Sequence, residues 1–218
     1  MGVALLALGA SCATARASGF YADVHGGATI PWSETARVAS DAAPASVNAH
    51  TNYDVGWLAG ASAGYQWDGG WARGLASEFE FTFRQNHFNR IASSAPITLG
   101  GDLHSYAMMI NGYYRFLNNS PLTPYIGGGV GAASIALNNT RFTGGLDRGP
   151  FSGTDAVFGY QGIAGVSYQI AAHLSLAAEY RYFATLRPGF QQTVAGQEVK
   201  ISPDYSANNV LLRAVYSF

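Results

Sequence analysis

Apolar and polar residues alternate with a period of two along most of the chain. In residues 174–182 the even positions are apolar or aromatic and the odd positions are small or charged. In residues 78–84 every odd position is Phe and every even position is polar. Successive side chains of a strand point to opposite faces, so this alternation predicts strands with one apolar face. It predicts eight strands, near 19–30, 54–67, 71–86, 102–116, 124–137, 155–170, 174–184 and 205–218.

The connections between these predicted strands alternate between short and long. The short ones lie around 68–70, 117–123 and 171–173, and the long ones cover 31–53, 87–101, 138–154 and 185–204. Barrels of the bacterial outer membrane have short periplasmic turns and long extracellular loops, with both termini in the periplasm. The pattern therefore predicts an all-β fold, an eight-stranded antiparallel transmembrane up-and-down β-barrel with four long extracellular loops. Which residues of strand 124–137 point into the barrel stays open, because apolar and polar residues alternate poorly in 125–131.

The composition supports a surface that faces lipid. Hydrophobic residues make up 48% of the chain and charged residues only 11%, whereas soluble domains average about 25% charged residues. A membrane-spanning helix needs about 20 consecutive apolar residues, and the longest helix-like apolar run is 3–10. A net charge of −1 argues against nucleic-acid binding, which requires a basic surface.

The first 17 residues have the pattern of a secretory signal. An apolar stretch at 3–8 is followed by small residues and by Ala15-Arg16-Ala17, which forms a small-x-small cleavage site before Ser18. No Lys or Arg precedes the apolar stretch. Cys12 is either a lipoprotein acceptor or a cysteine that is removed with the signal. We expect residues 1–17 to be cleaved and residues 18–218 to form the barrel, located in the bacterial outer membrane.

The end of the chain alternates up to a terminal aromatic residue. The apolar positions are Val210, Leu212, Ala214, Tyr216 and Phe218. This ending is similar to the terminal-strand signal that outer-membrane barrels present to the barrel assembly machinery. The alternative is a last amphipathic strand without a recognition role.

Four segments carry a resemblance to a known family: TPYIGGGVG at 123–131, YQGIAGVSY at 160–168, EYRY at 179–182 and VLLRAVYSF at 210–218. They resemble the small outer-membrane barrels of the OmpA type and the opacity type. The resemblance implies a barrel surrounded by outer-membrane lipid and lipopolysaccharide, and its motifs are not specific to an activity. Because the chain stops at the last predicted strand, we expect no counterpart of the periplasmic domain of full-length OmpA.

The polar face of the strands places charges inside the barrel. An eight-stranded barrel has an interior only wide enough for side chains to fill, and isolated buried charges are costly. We therefore predict a packed ion-pair network, with Glu78 at the depth of Arg181, and with Glu179 and Arg213 near Asp23. Its members are Asp23, Glu78, Glu80, Arg84, Arg115, Glu179, Arg181 and Arg213. The same charges are also compatible with a narrow gated pore.

Aromatic residues cluster toward the strand ends, where interfacial girdles of membrane barrels lie. We expect these side chains to anchor the barrel at the two membrane interfaces. The clearest candidates are Trp57, Trp67, Trp71, Tyr114, Tyr168 and Tyr182.

Candidate catalytic groups are few. His104 and Ser105 are adjacent on a strand and point to opposite faces, which excludes a base and nucleophile pair. His87 remains able to reach Ser105 across the 87–101 hairpin. The next-neighbour carboxylates Glu78 and Glu80 resemble a glycosidase pair, but facing arginines favour a structural role. No cofactor is predicted, and the scattered histidines predict no metal site.

These observations favour a surface protein whose barrel presents four extracellular loops. Roles in envelope integrity, adhesion or host contact are what the family resemblance implies. Two alternatives remain at this stage: a small passive pore that is gated by the charges in the barrel interior, and an outer-membrane enzyme that modifies lipid.

Overall fold

The computed structural model describes residues 19–32, 35–40, 43–92, 98–143, 151–186, 190–194, 197–202 and 205–218. The expected signal segment therefore lies outside the described residues. Nearly all of the described chain is strand. The strands are β1 Gly19–Pro31, β2 Thr35–Ser40, β3 Ala43–Tyr53, β4 Gly56–Trp67, β5 Leu75–Ala92, β6 Thr98–Arg115, β7 Leu122–Thr143, β8 Phe151–Gln169, β9 Leu174–Thr185, β10 Phe190–Val194, β11 Gln197–Ser202 and β12 Ser206–Ser217.

Eight of these strands form a closed antiparallel barrel. Around the ring the order is β5, β4, β1, β12, β9, β8, β7 and β6, and β6 pairs with β5 to close it. The prediction of an eight-stranded antiparallel barrel is confirmed. A closed ring has no open sheet edge, so the strands satisfy one another's backbone groups without water. None of the helices in the described residues is long and apolar enough to cross a membrane.

The long connections contain strands that the alternation did not predict. β2 and β3 lie in the expected loop 31–53, and β10 and β11 lie in the expected loop 185–204. β3 pairs with the outer part of β5, β2 with β3, β11 with β2, and β10 with β11. We call these four strands the extracellular sheet. Their sequences have no continuous apolar face, which is why a pattern sought for lipid-facing strands missed them.

The turn between β4 and β5 corrects one predicted boundary. The strand was expected to begin at residue 71, but Gly70–Ala72 forms a short 3-10 helix and β5 begins at Leu75. Gly70 has a φ of 55° and Gly74 a φ of 88°. Side-chain-bearing residues rarely adopt these values, so the two glycines permit the tight reversal.

The structure settles the facing of β7. Tyr125 is 7% exposed and points inward, as do Gly127, Gly129 and Gly131. A Cβ added to Gly127 would lie 2.6 Å from Cδ1 of Tyr113 on β6. Gly127 and Gly129 lie beneath side chains of β6, and an added Cβ at Gly131 would meet the β6 backbone, so these inward positions have no space for a side chain. This explains why the residues alternate so poorly in hydropathy.

Candidate functional site

A hydrogen-bonded network fills the middle of the barrel, and we call it the plug. All eight barrel strands contribute to it, and most of its members are nearly or fully buried. It comprises Tyr21, Asp23, His25, Ser62, Glu78, Glu80, Thr82, Asn111, Tyr113, Tyr125, Gln161, Glu179, Arg181 and Arg213.

Arg213 on β12 binds three carboxylates at once. Its Nη1 donates to Oε2 of Glu179 at 2.9 Å, and its Nη2 donates to Oε2 of Glu78 at 2.5 Å. The same Nη2 also pairs with Asp23. The planar guanidinium presents five donors, which suits it to several acceptors in one place. Arg213 therefore links β12 with β1, β5 and β9.

Three tyrosine hydroxyls complete the coordination of these carboxylates. Tyr113 and Tyr21 donate to the two oxygens of Glu78 at 2.8 and 2.9 Å, and Tyr125 donates to Glu179 at 2.9 Å. Hydrogen bonds to an ionised acceptor are stronger than those between neutral groups. The tyrosines therefore help to satisfy charges that are withdrawn from water.

Arg181 on β9 forms a second centre. Its Nη1 donates to Oε1 of Glu80 at 2.5 Å, and its Nε donates to Oε1 of Glu179 at 2.7 Å. Glu80 also accepts from the Thr82 hydroxyl at 2.5 Å and from Nδ2 of Asn111 at 2.7 Å. Because Glu179 pairs with both Arg181 and Arg213, the two centres form one connected network.

The observed pairing differs from the predicted pairing in one respect. Glu78 was expected opposite Arg181, but it pairs with Arg213, and Arg181 pairs with Glu80. The predicted pairing assumes that residues at equal distance from the periplasmic turns lie at equal height in the barrel. The strands of a barrel tilt and are staggered relative to one another, so equal distance along two strands is not equal height.

Two predicted members stand apart from the plug. Arg115 lies at the turn side, where it donates to Asp68 at 2.8 Å and to Gln66 at 2.8 Å. Arg84 is fully buried, yet none of its guanidinium nitrogens has a hydrogen-bond partner among the described residues. Its guanidinium carbon lies 4.2 Å from the ring centre of Phe183, a cation–π contact. Asp68 was not predicted, because it follows a strand instead of lying within one.

Different environments cover the two sides of the plug. On the turn side a cavity of about 790 Å³ reaches Arg213, and its lining includes Gln66, Arg115 and Ser175. On the loop side lies a cluster of buried apolar side chains. That cluster contains Leu103, Ala107, Met109, Ala133, Ile135, Phe183, Tyr205 and Ala207.

The outer face of the barrel carries aromatic side chains near both ends. The predicted anchors are 38% to 92% exposed: Trp57, Trp67, Trp71, Tyr114, Tyr168 and Tyr182. At the turn end Tyr65 packs edge-to-face on Trp67, with ring centres 4.7 Å apart. At the loop end the ring centres of Phe83 and Tyr106 are 5.0 Å apart. This arrangement is typical of the interfacial girdles of membrane barrels.

The last strand divides its residues between the two faces. Val210, Leu212, Tyr216 and Phe218 are 49% to 75% exposed on the outer face, and Ala214 lies between them. The inward face carries Arg213. The final strand therefore combines a lipid-facing apolar row with the arginine that binds three carboxylates.

The catalytic pairing left open by the sequence does not form. Ser105 is 1% exposed and faces the barrel interior, whereas His87 is exposed on the outer side and pairs with Asp102. Ser105 and His87 therefore point to opposite faces of the barrel wall, as strand alternation requires. The Glu78 and Glu80 carboxylates are held by arginines. Within the described residues no cluster of three or more His, Cys, Asp or Glu side chains is suited to a metal ion.

Sequence reasoning missed several residues of the plug. Tyr21, Tyr113 and Tyr125 occupy inward positions of their strands, as the alternation itself indicates. They were not recognised because tyrosine is also enriched in the aromatic girdles at the membrane interfaces. Ser62 and Thr82 are small hydroxyl residues on the same inward rows, and their position was the only available signal.

The chain is similar to other outer-membrane proteins. It is 30% identical over 179 residues to a protein described as "Outer membrane protein" from Gluconacetobacter diazotrophicus, which covers 75% of this chain and 46% of that one. It is 28% identical over 115 residues to outer membrane protein PagN of Salmonella typhimurium, which covers 50% and 48%. The chain therefore spans about half the length of these curated relatives.

A solved structure shares the fold. The crystal structure of Neisserial surface protein A matches with a TM-score of 0.58 at 20% identity, covering 93% of this chain and 100% of that one. The family profile described as "Outer membrane protein beta-barrel domain" matches residues 1–218. With the closed eight-stranded barrel, this match shows that the chain belongs to the outer membrane protein beta-barrel domain family and is a protein of the bacterial outer membrane.

Proposed function

We propose that the protein is a closed outer-membrane scaffold that displays its extracellular sheet for contact with surfaces outside the cell and that supports envelope integrity. The plug is the observation that carries this proposal. Its ionised side chains come from four barrel strands and are only 0% to 5% exposed. A barrel interior occupied by paired charges suits a rigid support better than an open channel.

The energetics of the plug favour the closed state. Removing one partner of a buried ion pair costs about 3–5 kcal/mol, because the other charge is left unpaired in a medium of low polarity. Opening a continuous water path past Arg213 and Arg181 requires rearrangement of pairs that share Glu179. The connected pairs therefore resist opening one at a time.

The extracellular sheet supports the display role. β2, β3, β10 and β11 continue the sheet beyond the barrel from the outer part of β5. Binding residues are concentrated in connecting segments that a rigid scaffold positions. A paired sheet gives such segments a defined arrangement, which suits recognition of an extended surface.

Planar-bilayer recordings test whether the barrel is closed. We expect the refolded wild-type protein, checked by its heat-modifiable migration in gels, to show no steady conductance. The double variant Glu80→Ala with Arg181→Ala removes both charges of one pair and serves as the positive control. It should conduct while retaining heat-modifiable migration. Steady single-channel steps from the wild-type protein would contradict a closed scaffold.

A small passive pore is the second candidate. The cavity on the turn side supports it, because that cavity extends from the turns to Arg213. The same recordings separate the two functions. Wild-type conductance together with liposome swelling in small sugars establishes the pore.

Cell attachment tests the display role. Replacing residues 35–53 and 190–202 with short turns removes the extracellular sheet and leaves the eight barrel strands. Bacteria expressing the wild-type protein are expected to attach to cultured epithelial cells more than bacteria expressing this variant. A variant altered only in the turn 171–173 is the control. Equal attachment by all three strains would exclude the sheet as the contacting element.

The signal segment and the last strand lead to a proposal for export and assembly. We propose that residues 1–17 are cleaved, that the outward row ending in Phe218 is recognised by the barrel assembly machinery, and that the protein has no catalytic role. Intact mass of the purified protein should match a chain that starts at Ser18. Overexpression should leave the lipid A and phospholipid profiles unchanged, and an altered profile would contradict the non-catalytic assignment.

A further inference from the structure

His25 on β1 is a buried member of the plug whose ring is held on two sides. It is 6% exposed. Its Nδ1 lies 3.0 Å from Oδ1 of Asp23, and its Nε2 lies 3.1 Å from Oγ1 of Thr82 on β5. The ring lies above Gly60 of β4, where an added Cβ would be 2.9 Å from Cε1 of His25. The absence of a side chain at Gly60 therefore provides the space for the imidazole.

The partner of Nδ1 accepts hydrogen bonds only. Asp23 receives the Ser62 hydroxyl and the Arg213 guanidinium. An aspartate that is paired with an arginine is ionised, and an ionised carboxylate has no proton to donate. Nδ1 of His25 must therefore carry the proton of its hydrogen bond to Asp23.

The partner of Nε2 also acts as an acceptor. Thr82 has a single hydroxyl proton, which it donates to Oε1 of Glu80 at 2.5 Å. Glu80 is ionised because it receives Arg181. The Thr82 oxygen can therefore only accept from Nε2, which must carry a proton too. A histidine that donates from both ring nitrogens is an imidazolium.

The charges of the barrel interior give independent support. Four buried carboxylates, Asp23, Glu78, Glu80 and Glu179, share the interior with three buried guanidiniums, Arg84, Arg181 and Arg213. Arg115 does not enter this balance, because it pairs with Asp68 at the turn side. Among these described groups one positive charge is missing. The imidazolium of His25 supplies it.

We propose that His25 is the fourth cation of the plug and that closure of the barrel depends on the hydrogen bonds that both of its ring nitrogens donate. A neutral ring donates only one hydrogen bond, so a lone pair would face either Asp23 or the Thr82 oxygen. The charged groups around the ring are Asp23 on β1, Glu80 and Arg84 on β5, and Arg213, which lies opposite His25 on β12; β4 contributes uncharged Gly60 and Ser62.

Nitrogen NMR of the wild-type protein tests the protonation state directly. In a sample labelled with ¹⁵N-histidine, the His25 signals are assigned by their loss in His25→Gln. At neutral pH both ring nitrogens of His25 should resonate in the range of protonated nitrogens. A neutral ring, with one nitrogen at the far-downfield position of a bare imidazole nitrogen, would overturn the proposal.

The stability of His25 variants tests the role in the plug. A glutamine amide donates only from its nitrogen, so His25→Gln should leave one of the two acceptors without a donor. At neutral pH the melting temperature of His25→Gln should therefore lie below that of wild type. His104→Gln, on the outer face, should behave like wild type.

Bilayer recordings give the functional readout. At neutral pH wild type and His104→Gln should be silent, and His25→Gln, which has lost one positive charge from the interior, should show brief cation-selective openings. An imidazolium signal combined with a silent His25→Gln would overturn the link to closure. Steady conductance of wild type would instead contradict the closed scaffold, so the two failures are distinguishable.

Discussion

Replacing Arg213 with methionine is expected to destabilise the folded barrel by about 3–5 kcal/mol or more. Methionine approximates the volume of the arginine stem but removes the group that binds Asp23, Glu78 and Glu179. Three carboxylates would then lose a shared cation in a site from which water is largely excluded. Urea titration of the protein in detergent micelles, followed by heat-modifiable migration, measures the loss.

Two further variants define what the Arg213 measurement means. Arg213→Lys keeps the charge but lacks the planar fork, and it should recover only part of the stability. Arg73→Met removes an arginine that is exposed on the turn, and its unfolding midpoint should match wild type. An Arg213→Met protein within about 1 kcal/mol of wild type would show that the plug contributes little to stability.

Replacing Gly131 with alanine is the second change with a large expected effect. The added Cβ would lie 2.8 Å from the Cα of Met109 and still closer to the carbonyl oxygen of Met108. These are backbone atoms of β6, which pairs with β7 at this point, so they cannot move without disturbing the ladder. Overpacking of this kind costs about 1–3 kcal/mol.

Gly112→Ala is the matched control for this steric argument. Gly112 lies on the neighbouring strand β6, faces outward, and has no atom within 4 Å of an added Cβ. Its free energy of unfolding, measured by urea titration, should remain within about 0.5 kcal/mol of wild type. If Gly131→Ala were as stable as Gly112→Ala, the inward glycines would not be needed for packing.

The barrel was predictable because its physical requirements are local. Each lipid-spanning strand must alternate, and Phe79, Phe81 and Phe83 display that alternation without reference to any other strand. The short turns and the long connections are also readable along the chain. The extracellular sheet was not predicted, because pairing such as that of β3 with β5 depends on a neighbour and leaves no apolar stripe in the sequence.

The interior was predictable in composition but not in pairing. Alternation places Glu78, Glu80 and Arg213 on inward faces, and charge balance indicates that they are paired. The partner of each charge depends on the stagger of strands that are distant in sequence. Thus Asp23 and Arg213, which are 190 residues apart, meet because β1 and β12 close the ring side by side.

The sequence by itself determined that this protein is an eight-stranded outer-membrane barrel whose inward face is polar, because alternation, loop lengths and composition are properties of successive residues. The tertiary structure alone decided that Arg213 binds three carboxylates, that Arg115 pairs with Asp68 at the turn side, and that His25 lies between two acceptors. The physical reason is that strand tilt and stagger set the height of each side chain in the barrel, and height decides which charges meet.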